Sequence, residues 1–108
     1  MQRINKDAYG QKIYIDFNQN VSTATTFTAT IQPQEGNEIT SLTPTLETSD
    51  LRVGDQLYTA NQYVSVTVTE NLFDDYAPGI YRAKATATLS ASEVISTDYD
   101  QTRIYVTE

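Results

Sequence analysis

Residues Phe73–Leu89 read FDDYAPGIYRAKATATL. Two adjacent carboxylates, Asp74 and Asp75, precede Pro78-Gly79, and a long alternating run follows. The stretch is either an acidic site or a corner where one strand hands over to the next. Turn chemistry favours the corner. Pro78 pre-sets the first central residue of a type II turn, and Gly79 accepts the positive φ of the second. Beyond it, Tyr81, Ala83, Ala85, Ala87 and Leu89 alternate with Arg82, Lys84, Thr86 and Thr88. Successive side chains of a strand leave opposite faces of a sheet, so this period of two predicts a half-buried strand. Tyr81 stands near its start, where its hydroxyl can reach back to the connection before it.

The same period recurs along the chain. KIYIDF places Ile13, Ile15 and Phe17 on one face, and TTFTATIQ does the same with Phe27, Ala29 and Ile31. QYVSVTVTE offers Val64, Val66 and Val68, and TRIYVT offers Ile104 and Val106. Two short strands are expected near Ser41–Glu47 and Leu51–Tyr58, with Pro44 marking a sheet edge because it donates to no ladder. Turns are expected around Glu35-Gly36 and Gly54-Asp55. ENLFDDYA suits one helical turn stopped by Pro78. The pattern predicts an all-β fold, an immunoglobulin-like antiparallel β-sandwich of about seven strands. Residues 1–10 are expected as an N-terminal arm, and 11–108 as a single domain.

Composition narrows the chemistry. The 108 residues include no Cys, His or Trp. Thiolate metal sites, Cys nucleophiles and Ser–His triads within the chain are excluded, so an enzyme is the least favoured class and no cofactor is expected. The formal net charge is −7, and the seven basic residues are scattered singly. Nucleic-acid binding needs the opposite balance. No apolar run approaches the length of a membrane span. MQRINKDAYGQK lacks the apolar core of a secretory signal, which suggests synthesis in a cytoplasm.

VTVTENLFDDYAPGIYRAKATATL followed by STDYDQTRIYVTE resembles the small immunoglobulin-like domains of bacteriophage virions. The likeness is greatest to the N-terminal domain of baseplate upper proteins, which share a late Pro-Gly-x-Tyr strand entry and an opening "strand, polar turn, strand, Pro-x-x-Gly". It implies a non-enzymatic structural protein of the tail, the baseplate or the head surface, made in the host cytoplasm and carried in the virion. The implied partners are other virion proteins and further copies of the chain.

Eight tyrosines are the strongest interaction signal, because aromatics are enriched at binding interfaces. Tyr14 and Tyr105 oppose the aliphatic faces of their strands and are expected together on one exposed face. Tyr76 and Tyr99 are further interface candidates. The final TRIYVTE, or the arm, is expected to offer an edge for strand addition. Asp74, Asp75, Asp98 and Asp100 are weak candidates for a hard cation, more simply read as solvated loop acids. A second class of function is therefore a carbohydrate- or ligand-binding module, possible with calcium at these acids. A domain from a bacterial surface adhesin is a third.

Overall fold

The computed structural model describes residues 2–40 and 42–108. They form ten strands: β1 (Gln2–Asn5), β2 (Lys12–Asp16), β3 (Thr26–Gln32), β4 (Thr45–Leu46), β5 (Leu51–Val53), β6 (Gln56–Tyr58), β7 (Tyr63–Thr67), β8 (Gly79–Ser90), β9 (Glu93–Ser96) and β10 (Arg103–Thr107). A single 3-10 turn spans Tyr99–Gln101. The chain is all-β. One sheet has the order β1-β10-β8-β3, with β9 also on β8; a second has the order β2-β7-β4; β5 and β6 form a hairpin. Its sheets are antiparallel except where β1 runs parallel to β10.

The two larger sheets turn their aliphatic faces to one core. Ile13 and Ile15 of β2 and Val64 and Val66 of β7 share it with Ile31 of β3, Ala83 and Ala85 of β8, and Ile104 and Val106 of β10. All of these are almost fully buried. Each aliphatic side chain as large as Val or Ile contributes about 1.5–3 kcal/mol when removed from water. The alanines of β8 keep that strand thin, and the bulk opposite comes from branched residues.

Strand β8 organises its sheet. Its Thr86–Ser90 segment pairs with β9 and its Gly79–Arg82 segment with β10, so the returning chain uses one edge of β8 twice. Between the two, residues 98–101 bulge away as the 3-10 turn. Thr97 and Thr102 close the gap: the Ala85 N–H donates to Thr97 Oγ1 at 3.0 Å, and the Ala83 N–H donates to the Thr102 carbonyl at 3.0 Å.

The corner before β8 holds as a corner. Tyr81 is fully buried, its hydroxyl donates to the Ala77 carbonyl at 2.6 Å, and its ring meets that of Phe73 edge-on at 5.3 Å. The turn type differs from expectation. Gly79 has φ 153°, far from the about +80° of a type II turn. Glycine is needed there for a second reason. A Cβ would lie 2.8–2.9 Å from the Gln34 side chain, whose Oε1 accepts the Ile80 N–H at 2.9 Å. Gln34 thus extends the ladder beyond the end of β3.

Four expectations need correction. The expected N-terminal arm is tied down over its described part: β1 pairs with β10, and Ile4 enters the core at 3% exposure. Leu51–Tyr58 is two strands rather than one: the turn expected at Gly54-Asp55 is present, with Gly54 at φ 60°, and makes a hairpin. ENLFDDYA forms successive four-residue turns, with Asp74 N–H donating to the Asn71 carbonyl and Tyr76 N–H to the Phe73 carbonyl, not a helical turn. Strand β10 lies between β1 and β8, so TRIYVTE offers no free edge. The strand expected near Ser41–Glu47 is confined to β4 at the edge beside β7, and Ser41 lies outside the described residues.

Candidate functional site

The four carboxylates proposed as ligands stay apart in role. Asp74 and Asp75 are exposed in the turns before the corner. Asp98 opens the 3-10 turn, and its N–H donates to Gln101 Oε1 at 2.9 Å. Asp100 is an ion-pair partner of arginines. Among the described residues no group of three or more carboxylates gathers into a cation cage, so the four weak cation candidates are not brought together.

The candidate tyrosines Tyr14, Tyr76, Tyr99 and Tyr105 do not share one surface. Tyr14 and Tyr105 do not share a face: Tyr14 lies on the outer side of the β2-β7-β4 sheet, Tyr105 on the outer side of the other sheet. The reason is that β2 and β10 belong to different layers, and each turns its aliphatic side inward. Tyr76 is half-buried, with its ring against Gly36. Tyr99 is half-buried over β8.

On the outer side of the five-stranded sheet, strand register assembles what the sequence scatters. Arg103 is paired with Arg82, Tyr105 with Ile80, and Arg3 with Tyr105. Lys84 follows Arg82 on the same side of β8. Four of the seven basic residues therefore occupy one face of a chain with net charge −7. Arg82 and Arg103 are directly opposite, an arrangement that repels. Asp100 Oδ1 lies 3.3 Å from the first guanidinium and 3.8 Å from the second, one carboxylate between two cations. Arg3 stacks over the Tyr105 ring at 5.1 Å, and Lys84 stands 4.9 Å from the centre of the Tyr99 ring. Tyr105 and Ile80 remain 39% and 37% exposed between these charges. The Tyr99 hydroxyl donates to Glu38 at 2.9 Å. Burial, then that hydrogen bond and the Glu38 charge, push the Tyr99 phenol up to about 12.

The outer side of the smaller sheet is covered instead. The β5–β6 hairpin brings Tyr58 against Tyr14 at 5.4 Å and Tyr63 at 5.2 Å. Tyr63 is buried and donates to the Ser49 carbonyl at 2.7 Å. Burial raises the pKa of Tyr63, and Glu47, Tyr14 and Asp50 add to it. Gln2 ties the two layers together at this side. Its amide accepts the Tyr14 N–H at 2.9 Å and donates to the Tyr14 carbonyl at 3.0 Å, as a strand residue would. A groove of about 230 Å³ opens between the hairpin, β2 and the start of β10.

Sequence reasoning missed both surfaces. Arg82 and Lys84, two apart on one strand, signal the basic face, but Arg3 and Arg103 join it only through register. The groove is built by a hairpin whose turn at Gly54-Asp55 was expected but whose packing over β2 was not. No protein-family model, no curated protein and no solved structure matches this chain.

Proposed function

We propose that the chain is an immunoglobulin-like β-sandwich serving as a non-enzymatic structural module of a bacteriophage particle. It belongs to the tail or baseplate, or acts as a decoration or connector on the head, after synthesis in the host cytoplasm. Its partners are other virion proteins, including further copies of itself. The fold reading rests on the buried Tyr81 whose hydroxyl returns to Ala77, a device of such sandwiches. The particle reading rests on the sequence resemblance.

The observation that carries the interaction is the concentration of Arg3, Arg82, Lys84 and Arg103 beside exposed Tyr105 and Ile80. Arginine and tyrosine supply much of the energy at interface centres. A basic face on an acidic molecule selects an acidic protein surface and speeds encounter with it. The rest of this chain's surface is acidic, so copies can stack head to tail by a heterologous contact.

Mass spectrometry of purified particles from the phage that encodes the chain tests the location. Its absence from intact particles refutes the virion reading. Light scattering at low and high salt tests the face. Association that weakens with salt and disappears in the Arg3→Glu/Arg82→Glu variant is expected. Retention of duplex DNA at low salt by the same face, lost in that variant, instead assigns it to a polyanion and overturns the protein-docking reading.

A further inference from the structure

We propose that the groove under the β5–β6 hairpin binds a single neutral sugar ring through its neighbouring hydroxyls. Arg103 borders both this groove and the basic face, and the groove does not depend on that face's function. Four observations carry the inference.

The first is an unused polar group on a buried side chain. Tyr58 is only 7% exposed, yet its hydroxyl has no hydrogen-bond partner among the described residues. No buried side-chain oxygen there lacks a partner, so this hydroxyl owes its small exposure to the groove it lines. The Tyr14 hydroxyl is likewise without a partner among the described residues and lines the same groove.

The second is the chemistry of the walls. Asp16 accepts the Asn18 N–H through Oδ1 at 2.7 Å and keeps its second oxygen available. Gln56 brings an amide from the opposite side, while the Arg103 guanidinium turns away to Asp100 on the basic face. Carboxylates and amides each present two coplanar hydrogen-bonding positions. Adjacent sugar hydroxyls, which donate and accept together, match that arrangement. Asp16 is the one carboxylate residue lining the groove, which disfavours an anionic ligand such as a sugar acid.

Size is the third. About 230 Å³ lies below the range usual for drug-sized ligands, about 300–1,000 Å³, and restricts the occupant to one ring. The fourth is pre-organisation. Gln2 pins the Tyr14 backbone through both its N–H and its carbonyl, and the Tyr14–Tyr58–Tyr63 contacts fix the floor. A site already in shape loses less freedom on binding.

The test is an NMR titration of the ¹⁵N-labelled full chain with D-glucose, D-galactose and L-rhamnose, and with sorbitol as an open-chain comparison. At least one ring sugar is expected to produce saturable shifts at residues 14–18, 56–58 and 101–103, in the millimolar range that such a small ligand permits. Sorbitol is expected to bind at least about fivefold more weakly. Tyr58→Phe, which keeps the ring and removes the hydroxyl, and Asp16→Asn are each expected to weaken binding about fivefold or more with an unchanged fold by circular dichroism. Tyr105→Ala, on the other sheet, is expected to leave it unchanged. Absence of saturable shifts with all three sugars overturns the proposal. So does equal binding of sorbitol, or binding that Tyr58→Phe and Asp16→Asn leave intact. The Arg3→Glu/Arg82→Glu variant leaves the groove untouched, so failure here and failure of the docking face are read separately.

Discussion

The outer face of the three-stranded sheet carries Tyr14, Tyr63 and Ser65 and is roofed by the β5–β6 hairpin. The outer face of the five-stranded sheet carries Arg3, Arg82, Lys84, Arg103 and Tyr105 and has no such roof. Both faces alternate with an aliphatic inner face, and both contain tyrosine. The difference lies in what the polar-side residues can tolerate. Tyr63 and Ser65 have a ring or a small hydroxyl that survives burial when paired, and the Tyr63–Ser49 bond supplies the pairing. A row of arginines and a lysine does not survive burial without matching carboxylates. Among the described residues Asp100 alone forms ion pairs with it, so this face keeps its water until another surface supplies the charge.

Four measurements break or sharpen that comparison. The largest effect is expected from Tyr63→Ala, which empties the centre of the covered face. A loss of about 3–5 kcal/mol in urea unfolding is expected, whereas Tyr105→Ala on the open face stays within about 0.5 kcal/mol. Equal losses would show that the two faces are not differently built.

Next in size is Ile4→Ala, expected to cost about 2–4 kcal/mol because β1 reaches the shared core. A cost below about 0.5 kcal/mol, as at an exposed position, would return residues 2–5 to an independent arm. Tyr81→Phe follows, at about 1–2 kcal/mol, since it keeps the ring on Phe73 and leaves the Ala77 carbonyl unpaired. The same unfolding curves, compared at constant slope, report it.

The smallest effect is confined to alkaline solution. Tyr99 has a folded pKa of about 12 against an ordinary 10.0. The folded chain therefore holds its proton more tightly than the unfolded one. That contribution is complete below pH 10 and fades as pH rises toward 12. Phenolate absorbance should show Tyr99 titrating late, and Glu38→Gln should bring it down toward the ordinary value. An unshifted Tyr99 would remove the Glu38 contact from the open face.

The regular strands were legible before any coordinates. Ile13, Ile15, Ala29, Ile31, Val64, Val66 and Ala83 to Ala87 alternate so strictly that only a sheet buries them. The Tyr81 corner was legible too, because Pro78-Gly79 and a tyrosine two residues on form a local unit. β1 was not legible, since QRIN has one apolar residue and gains its ladder from β10, about a hundred residues away. β9 was missed for a similar reason: EVIS is short, and its Val94 is exposed. The expected pairing of Tyr14 with Tyr105 failed because alternation assigns a side of a strand but not a layer of the molecule.

By itself the sequence determined the all-β class, the inward residues of the main strands and the corner at Ala77–Tyr81. Each depends on neighbours within a few positions, where side-chain direction and turn geometry are local properties. Only the tertiary structure decided that scattered arginines form one face and that a hairpin roofs the other. It also decided that one glutamine amide joins two layers at Tyr14. Those outcomes depend on register and sheet order between distant segments, which the local pattern of a single chain does not encode.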